Sequence, residues 1–156
     1  MPNKRKNIAG FTLVEVVIAL AIFLIIEAAF YSGYEMLQKR SKIIKLNNAC
    51  NLLVLELSAM QTRALYVNDG FVQSIKVYSD GSGYDLNKGS KKIKSVKLSQ
   101  LGWECLKLFC INDVQFLPGG VPKVYSKIIV QVRNEEKLKK TVEVQPISGR
   151  IVVKDE

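Results

Sequence analysis

The 156-residue chain contains no histidine, so no imidazole can serve as general base, proton shuttle or metal ligand. It has no Gly-rich phosphate loop, no dinucleotide-binding fingerprint and no paired-cysteine zinc spacing. The common routes to catalysis and cofactor binding are missing, and the chain is read as a non-enzyme with no cofactor and no metal. No internal repeat or low-complexity tract is present. From Tyr31 to about Tyr66 there is no proline, and Gly33 is the one glycine, so almost nothing punctuates a helix there.

What the chain does have is unevenly spread apolar residues. Hydrophobic types make up 48% of the sequence, enough for one modest domain. Val16 to Ile26 is a run of eleven apolar residues, and the 21 residues from Phe11 to Tyr31 are interrupted only by Thr12, Glu15 and Glu27. That length suits a membrane span. Lys4, Arg5 and Lys6 precede it, which predicts a cytoplasmic N-terminus, with the bulk of the chain on the outer, periplasmic side. A cleavable secretory signal would need a small-residue site after the apolar run. Glu27-Ala28-Ala29-Phe30-Tyr31 offers a poor one, with no flexible polar break. A plain single-span anchor leaves Glu15 unexplained, since a carboxylate inside such a run costs about 2.5–3.5 kcal/mol.

The residues around Glu15 fit something more specific. A short basic leader ends in Gly10, followed by Phe11-Thr12-Leu13-Val14-Glu15 and then the apolar run. This arrangement resembles the N-terminal signal of type IV prepilins and type II secretion pseudopilins. The resemblance implies that a membrane-embedded prepilin peptidase cuts between Gly10 and Phe11 and N-methylates Phe11. It implies an inner-membrane, single-pass subunit that assembles with other pilin or pseudopilin subunits into a pilus or pseudopilus. Physical chemistry gives Glu15 a part in this. Cleavage would leave an α-amino group on Phe11 at the tip of an apolar helix, where it is as badly placed as a lone carboxylate. Glu15, one turn in, can pair with the amine of its own or a neighbouring chain, and its charge suits the helix dipole. Glu27, about 18 Å further along a helix, either marks the membrane exit near the outer interface or faces a cation of another subunit.

Apolar residues recur at near-helical spacing through Met36, Leu37, Ile43, Ile44, Leu46, Cys50, Leu53, Leu57, Met60 and Leu65. The spacing predicts one helix from about Thr12 to Leu65, on the order of 80 Å long, apolar all round at first and amphipathic later. Beyond it the pattern turns to strands. Ile75 and Val77 alternate with polar residues ahead of an Asp80-Gly81 turn, and Val96 and Leu98 share a side of "KIKSVKL". A strand near Val124–Arg133, a polar connection at Asn134–Lys137, and a strand with Val142 and Val144 inward come next. A last strand at Ile151–Val153 follows the Ser148-Gly149 turn. The expectation is an α+β fold: a long N-terminal helix laid on a C-terminal antiparallel sheet with one solvated face. The parts are a leader (1–10), the membrane and polymerisation half of the helix (11–31), its amphipathic half (32–66) and a β-rich globular domain (67–156). "VQFLPGG" ahead of a strand and "VEVQPISGRIVV" near the C-terminus are similar to the closing hairpin of the GspH/FimT group of minor pilins and pseudopilins.

Cys50 falls on the apolar stripe and reads as a small buried hydrophobe. Cys105 and Cys110 fall on the outer side, where disulfides persist. They form a candidate disulfide only if "CLKLFC" contains a turn, because residues five apart on a strand face opposite ways. Net charge is +9, and +6 after loss of Lys4, Arg5 and Lys6 with the leader. Lys88, Lys91, Lys92, Lys94 and Lys97 crowd into one stretch, and Lys137, Lys139 and Lys140 into another. Basic clusters attract phosphate backbones, but lysines also protect sheet edges, and this stretch lacks the interleaved aromatics of single-strand binders. Related minor pilins serve in DNA uptake, so the first five lysines are candidate DNA contacts under an alternative reading as a competence-pilus subunit.

Overall fold

The computed structural model describes residues 12–67 and 70–155, apart from the side chain of Ser32. Helix α1 runs Leu13–Tyr66, within a residue of the expected bounds. Eight strands follow: β1 Gln73–Val77, β2 Gly83–Lys88, β3 Lys91–Lys97, β4 Leu106–Ile111, β5 Val114–Phe116, β6 Ser126–Val132, β7 Glu135–Val144 and β8 Ile151–Asp155. The chain divides into two compact units, the first ending at Arg40 and the second covering Ser41–Glu156.

In the first unit every described side chain is exposed, including Leu13, Ile18, Phe23, Ile25 and Phe30. The helix there is long and apolar enough to cross a membrane. Exposure of an all-round apolar surface is the expected state of a segment whose surroundings are lipid or other helices.

The second unit holds the core. On its part of α1, Leu46, Ala49, Cys50, Leu53, Leu57, Met60 and Ala64 are buried, at the three- and four-residue spacing of one helical face. Two alanines take positions that the periodicity gave to larger neighbours, and Ile44 and Leu65 turn outward instead. Along β6 the burial alternates residue by residue. Ser126, Ile128, Val130 and Val132 of β6 point inward, and Lys127, Ile129 and Gln131 are half-buried.

The strands form two four-stranded antiparallel sheets, not the single sheet expected. Their orders are β3-β2-β1-β5 and β4-β6-β7-β8. The difference comes from β4 and β5, which are adjacent in sequence but join different sheets. The bend between them passes through Asn112, held at φ +61°, whose side-chain amide donates to the Tyr125 carbonyl at 3.1 Å. Asn tolerates this left-handed geometry because its amide can bond locally. The connection between β6 and β7 is also tighter than Asn134–Lys137. Val132 pairs with Glu135 across Arg133-Asn134, with Asn134 at φ +64°. A single core joins the helical stripe to both sheets, with Ile75, Tyr84, Leu86, Val114 and Phe116 from the first and Leu106, Leu108, Ile128, Val130 and Val142 from the second.

Candidate functional site

At the start of α1 the polar residues of the apolar segment bind each other. The Thr12 backbone N–H donates to Glu15 Oε2 at 2.9 Å, and the Thr12 hydroxyl donates to the same oxygen at 3.1 Å. The Glu15 backbone N–H donates to Thr12 Oγ1 at 3.3 Å. This is a reciprocal capping box, threonine at the N-cap and glutamate three residues on. It satisfies backbone donors that the first helical turn leaves without partners. Glu15 therefore has a role within its own helix that its place in an apolar run did not reveal, although Thr-x-x-Glu is a readable signature. Gly10 and Phe11, the expected cleavage and methylation positions, lie outside the described residues.

The two C-terminal segments singled out in the sequence meet at one glutamine. Gln61 Nε2 donates to the Gly120 carbonyl at 3.3 Å and to the Gly149 carbonyl at 3.1 Å. The Gly119 N–H donates to the Ala64 carbonyl at 2.8 Å, satisfying one of the acceptors that a helix C-terminus exposes. Gly149 has φ +63°, and a side chain there would collide with the Gln61 amide. Gln61, the Pro-Gly-Gly loop and the Ser-Gly turn thus form a clasp over the last turns of α1, beside a cleft of about 360 Å³. Gln61 itself gave no sequence signal, since it reads as one of several polar residues between apolar ones.

Of the five clustered lysines, Lys88 ends β2 and Lys91, Lys92, Lys94 and Lys97 lie on β3, the edge strand of its sheet. A bulge interrupts its pairing: Lys94 faces Leu86 and Lys92 faces Asn87, so Ile93 is the extra residue. Lys94 Nζ lies 2.5 Å from Glu56 on α1, and Lys92 Nζ lies 2.6 Å from Asp85. Burial pushes the Asp85 carboxyl upward, but hydrogen bonds from Lys92, Tyr78 and Ser95 outweigh it and hold the group below the usual carboxylate range. The same bond raises Lys92. Two of the five lysines are thus matched internally. Lys91 and Lys97 are exposed with no ion-pair partner among the described residues. Lys88 sits 5.5 Å over the ring of Phe71, an aromatic that arrives from outside the lysine stretch. The Gly89 N–H donates to the Val72 carbonyl at 2.7 Å and so fixes the hairpin tip against that segment.

The candidate disulfide is not formed. Cys105 and Cys110 are both free, and β4 runs between them without the required turn. Leu106 to Cys110 alone covers about 13 Å at the standard strand rise, well beyond the roughly 7 Å Cα limit for a bridge. Cys110 donates to the Asn112 carbonyl at 3.0 Å. Burial pushes the thiols of Cys110 and Cys50 up to about 11, which keeps both protonated and unreactive at neutral pH. Cys50 packs in the core as expected.

Comparison with known proteins agrees with this arrangement. Residues 5–29 match the family described as the prokaryotic N-terminal methylation motif. No curated protein matches the chain. Among solved structures it is similar to the type IV minor pilin FimU of Pseudomonas aeruginosa (strain PAO1) in two crystal forms. In the P21 form the TM-score is 0.55 at 14% identity, covering 70% of this chain and 87% of the other. In the P65 form it is 0.54 at 13% identity, covering 70% and 92%.

Proposed function

We propose that this chain, with an N-terminal methylation motif leading into a type IV pilin fold, is a structural minor subunit of a type IV pilus. The observation that carries the reading is a junction. A match to the methylation motif runs directly into a helix that buries none of its described side chains up to Arg40, and a pilin-like β unit follows. A helix of that kind is built to be covered by lipid and then by neighbouring subunits. Before assembly the subunit resides in the inner membrane, with the β unit on the outer side. Prepilin peptidase acts between Gly10 and Phe11, and other pilins are its partners in the filament. The similarity to a minor pilin favours a pilus over a secretion pseudopilus. The DNA-uptake alternative draws less support, because Lys92 and Lys94 already hold carboxylates.

The test is intact mass after expression with and without a prepilin peptidase. The expected product lacks residues 1–10 and carries about 14 Da from one methylation. A cut after Ala28 or Ala29 overturns the reading.

A further inference from the structure

Helix α1 changes character within its first unit. Apolar residues dominate as far as Phe30, and two tyrosines follow at Tyr31 and Tyr34, 67% and 61% exposed. Three residues apart, they are neighbours on the helix surface. Lys39 and Arg40 come next, both exposed and without an ion-pair partner among the described residues. Glu35 is the one acid between Tyr31 and Arg40. We propose that Tyr31, Tyr34, Lys39 and Arg40 form a collar that binds phospholipid headgroups and fixes the depth of the unassembled helix. The phenols sit at the edge of the hydrocarbon, and the two cations hold lipid phosphates. This rests on the membrane residence proposed above.

Three observations select lipid as the occupant. The first is length. Leu13 to Tyr31 spans about 27 Å of helix and Leu13 to Tyr34 about 32 Å, which brackets the roughly 30 Å of a bilayer's hydrocarbon. The second is residue type. Tyrosine joins an apolar ring to a polar tip, and it gathers where hydrocarbon meets headgroups. The third is direction. Lys39 and Arg40 lie about 8–9 Å beyond Tyr34, and side chains on a helix lean toward its N-terminus. Their stems therefore slope back toward the headgroup layer, where the charges can reach phosphate. Glu35 stands four residues before Lys39 and offsets part of its charge. Arg40, whose planar fork suits a phosphate, is the stronger contact. A depth fixed at this end also sets the other. It leaves Leu13 at the opposite edge of the hydrocarbon, and the Gly10–Phe11 bond lies only two residues earlier in the chain.

The test uses the full-length chain reconstituted at low density into vesicles of phosphatidylcholine and phosphatidylglycerol. Trp103→Phe removes the one native tryptophan, and Tyr34→Trp places a single reporter in the collar. Quenching by lipids brominated at successive acyl positions reads the depth of that reporter. The strongest quenching is expected from the shallowest bromine. Adding Lys39→Leu and Arg40→Leu should move the maximum to a deeper bromine and shift the emission to the blue. Lys97→Leu, on β3, should change neither. Circular dichroism of each variant reports folding. An unchanged profile in the Lys39→Leu, Arg40→Leu chain overturns the proposal while leaving membrane residence intact. A profile that moves with the protein-to-lipid ratio also overturns it, and would assign the depth to contact between helices. Absence of quenching at every bromine position overturns the membrane reading and the collar together.

Discussion

Glu15 has two claims on the same carboxylate, and substitution can separate them. The capping box needs a hydrogen-bond acceptor, which Gln supplies as well as Glu. Pairing with a Phe11 amine needs the charge. Glu15→Gln and Glu15→Ala should both insert and be cleaved near normally. If charge pairing governs assembly, both should be depleted in filaments, since breaking a buried pair costs on the order of 3–5 kcal/mol. If capping alone matters, only Ala should lose ground, by about 1 kcal/mol. The readout is subunit content in sheared filaments against the cleaved pool in membranes, and wild-type incorporation of both variants removes the pairing account. At this scale the sequence was informative where the chemistry is local. Glu15 and Cys50 were legible because a charge in an apolar run and a cysteine on a stripe are visible in one dimension. Gln61 and Phe71 were not, because their roles depend on segments far away in the sequence that the fold brings to them.

Strand β8 is held to β7 by pairings from Lys140–Asp155 to Val144–Ile151 and by an ion pair between Glu143, which is only 6% exposed, and Lys154 at 2.8 Å. The Lys154 hydrogen bond holds the Glu143 carboxyl below its ordinary value, against the opposing effect of burial. A depressed carboxyl stabilises the fold fully above the unfolded value of about 4.3, and the contribution is lost as pH falls through the lower folded value. Thermal melts should therefore show a midpoint that drops in acid. Glu143→Gln should melt lower than wild type at neutral pH and show a shallower drop, and parallel pH curves for the two proteins would contradict this. Among the elements, β1, β3, β6 and β7 were legible by alternation, and β8 by the Ser148-Gly149 turn ahead of it. β4 was not, because its outward residues Phe109 and Ile111 are also apolar, 41% and 51% exposed, which erases the period of two. The three residues of β5 are too few to show any period. Missing these two strands hid the second sheet and left the disulfide open as an idea.

The two units differ in where their apolar surface goes. Among the described residues, every buried hydrophobic one lies between Leu46 and Val144, inside the second unit. A chain beginning at Ser41 should therefore be soluble without detergent and melt cooperatively. Leu57→Ala in that chain, at a fully buried position, should cost about 2–5 kcal/mol. Calorimetry checks both points, and a non-cooperative melt of the shortened chain would show that residues before Ser41 are needed for the core. The glutamine clasp bears on the order of events during biogenesis. Its two hydrogen bonds join positions 59 and 88 residues apart, and closing loops of that length is unfavourable until sheet pairing brings the ends together. Gln61 is synthesised long before Gly149, so its amide stays hydrated while the strands are still being made. The end of the helix is secured only after the closing hairpin has folded, which makes this one side chain a marker of a finished subunit.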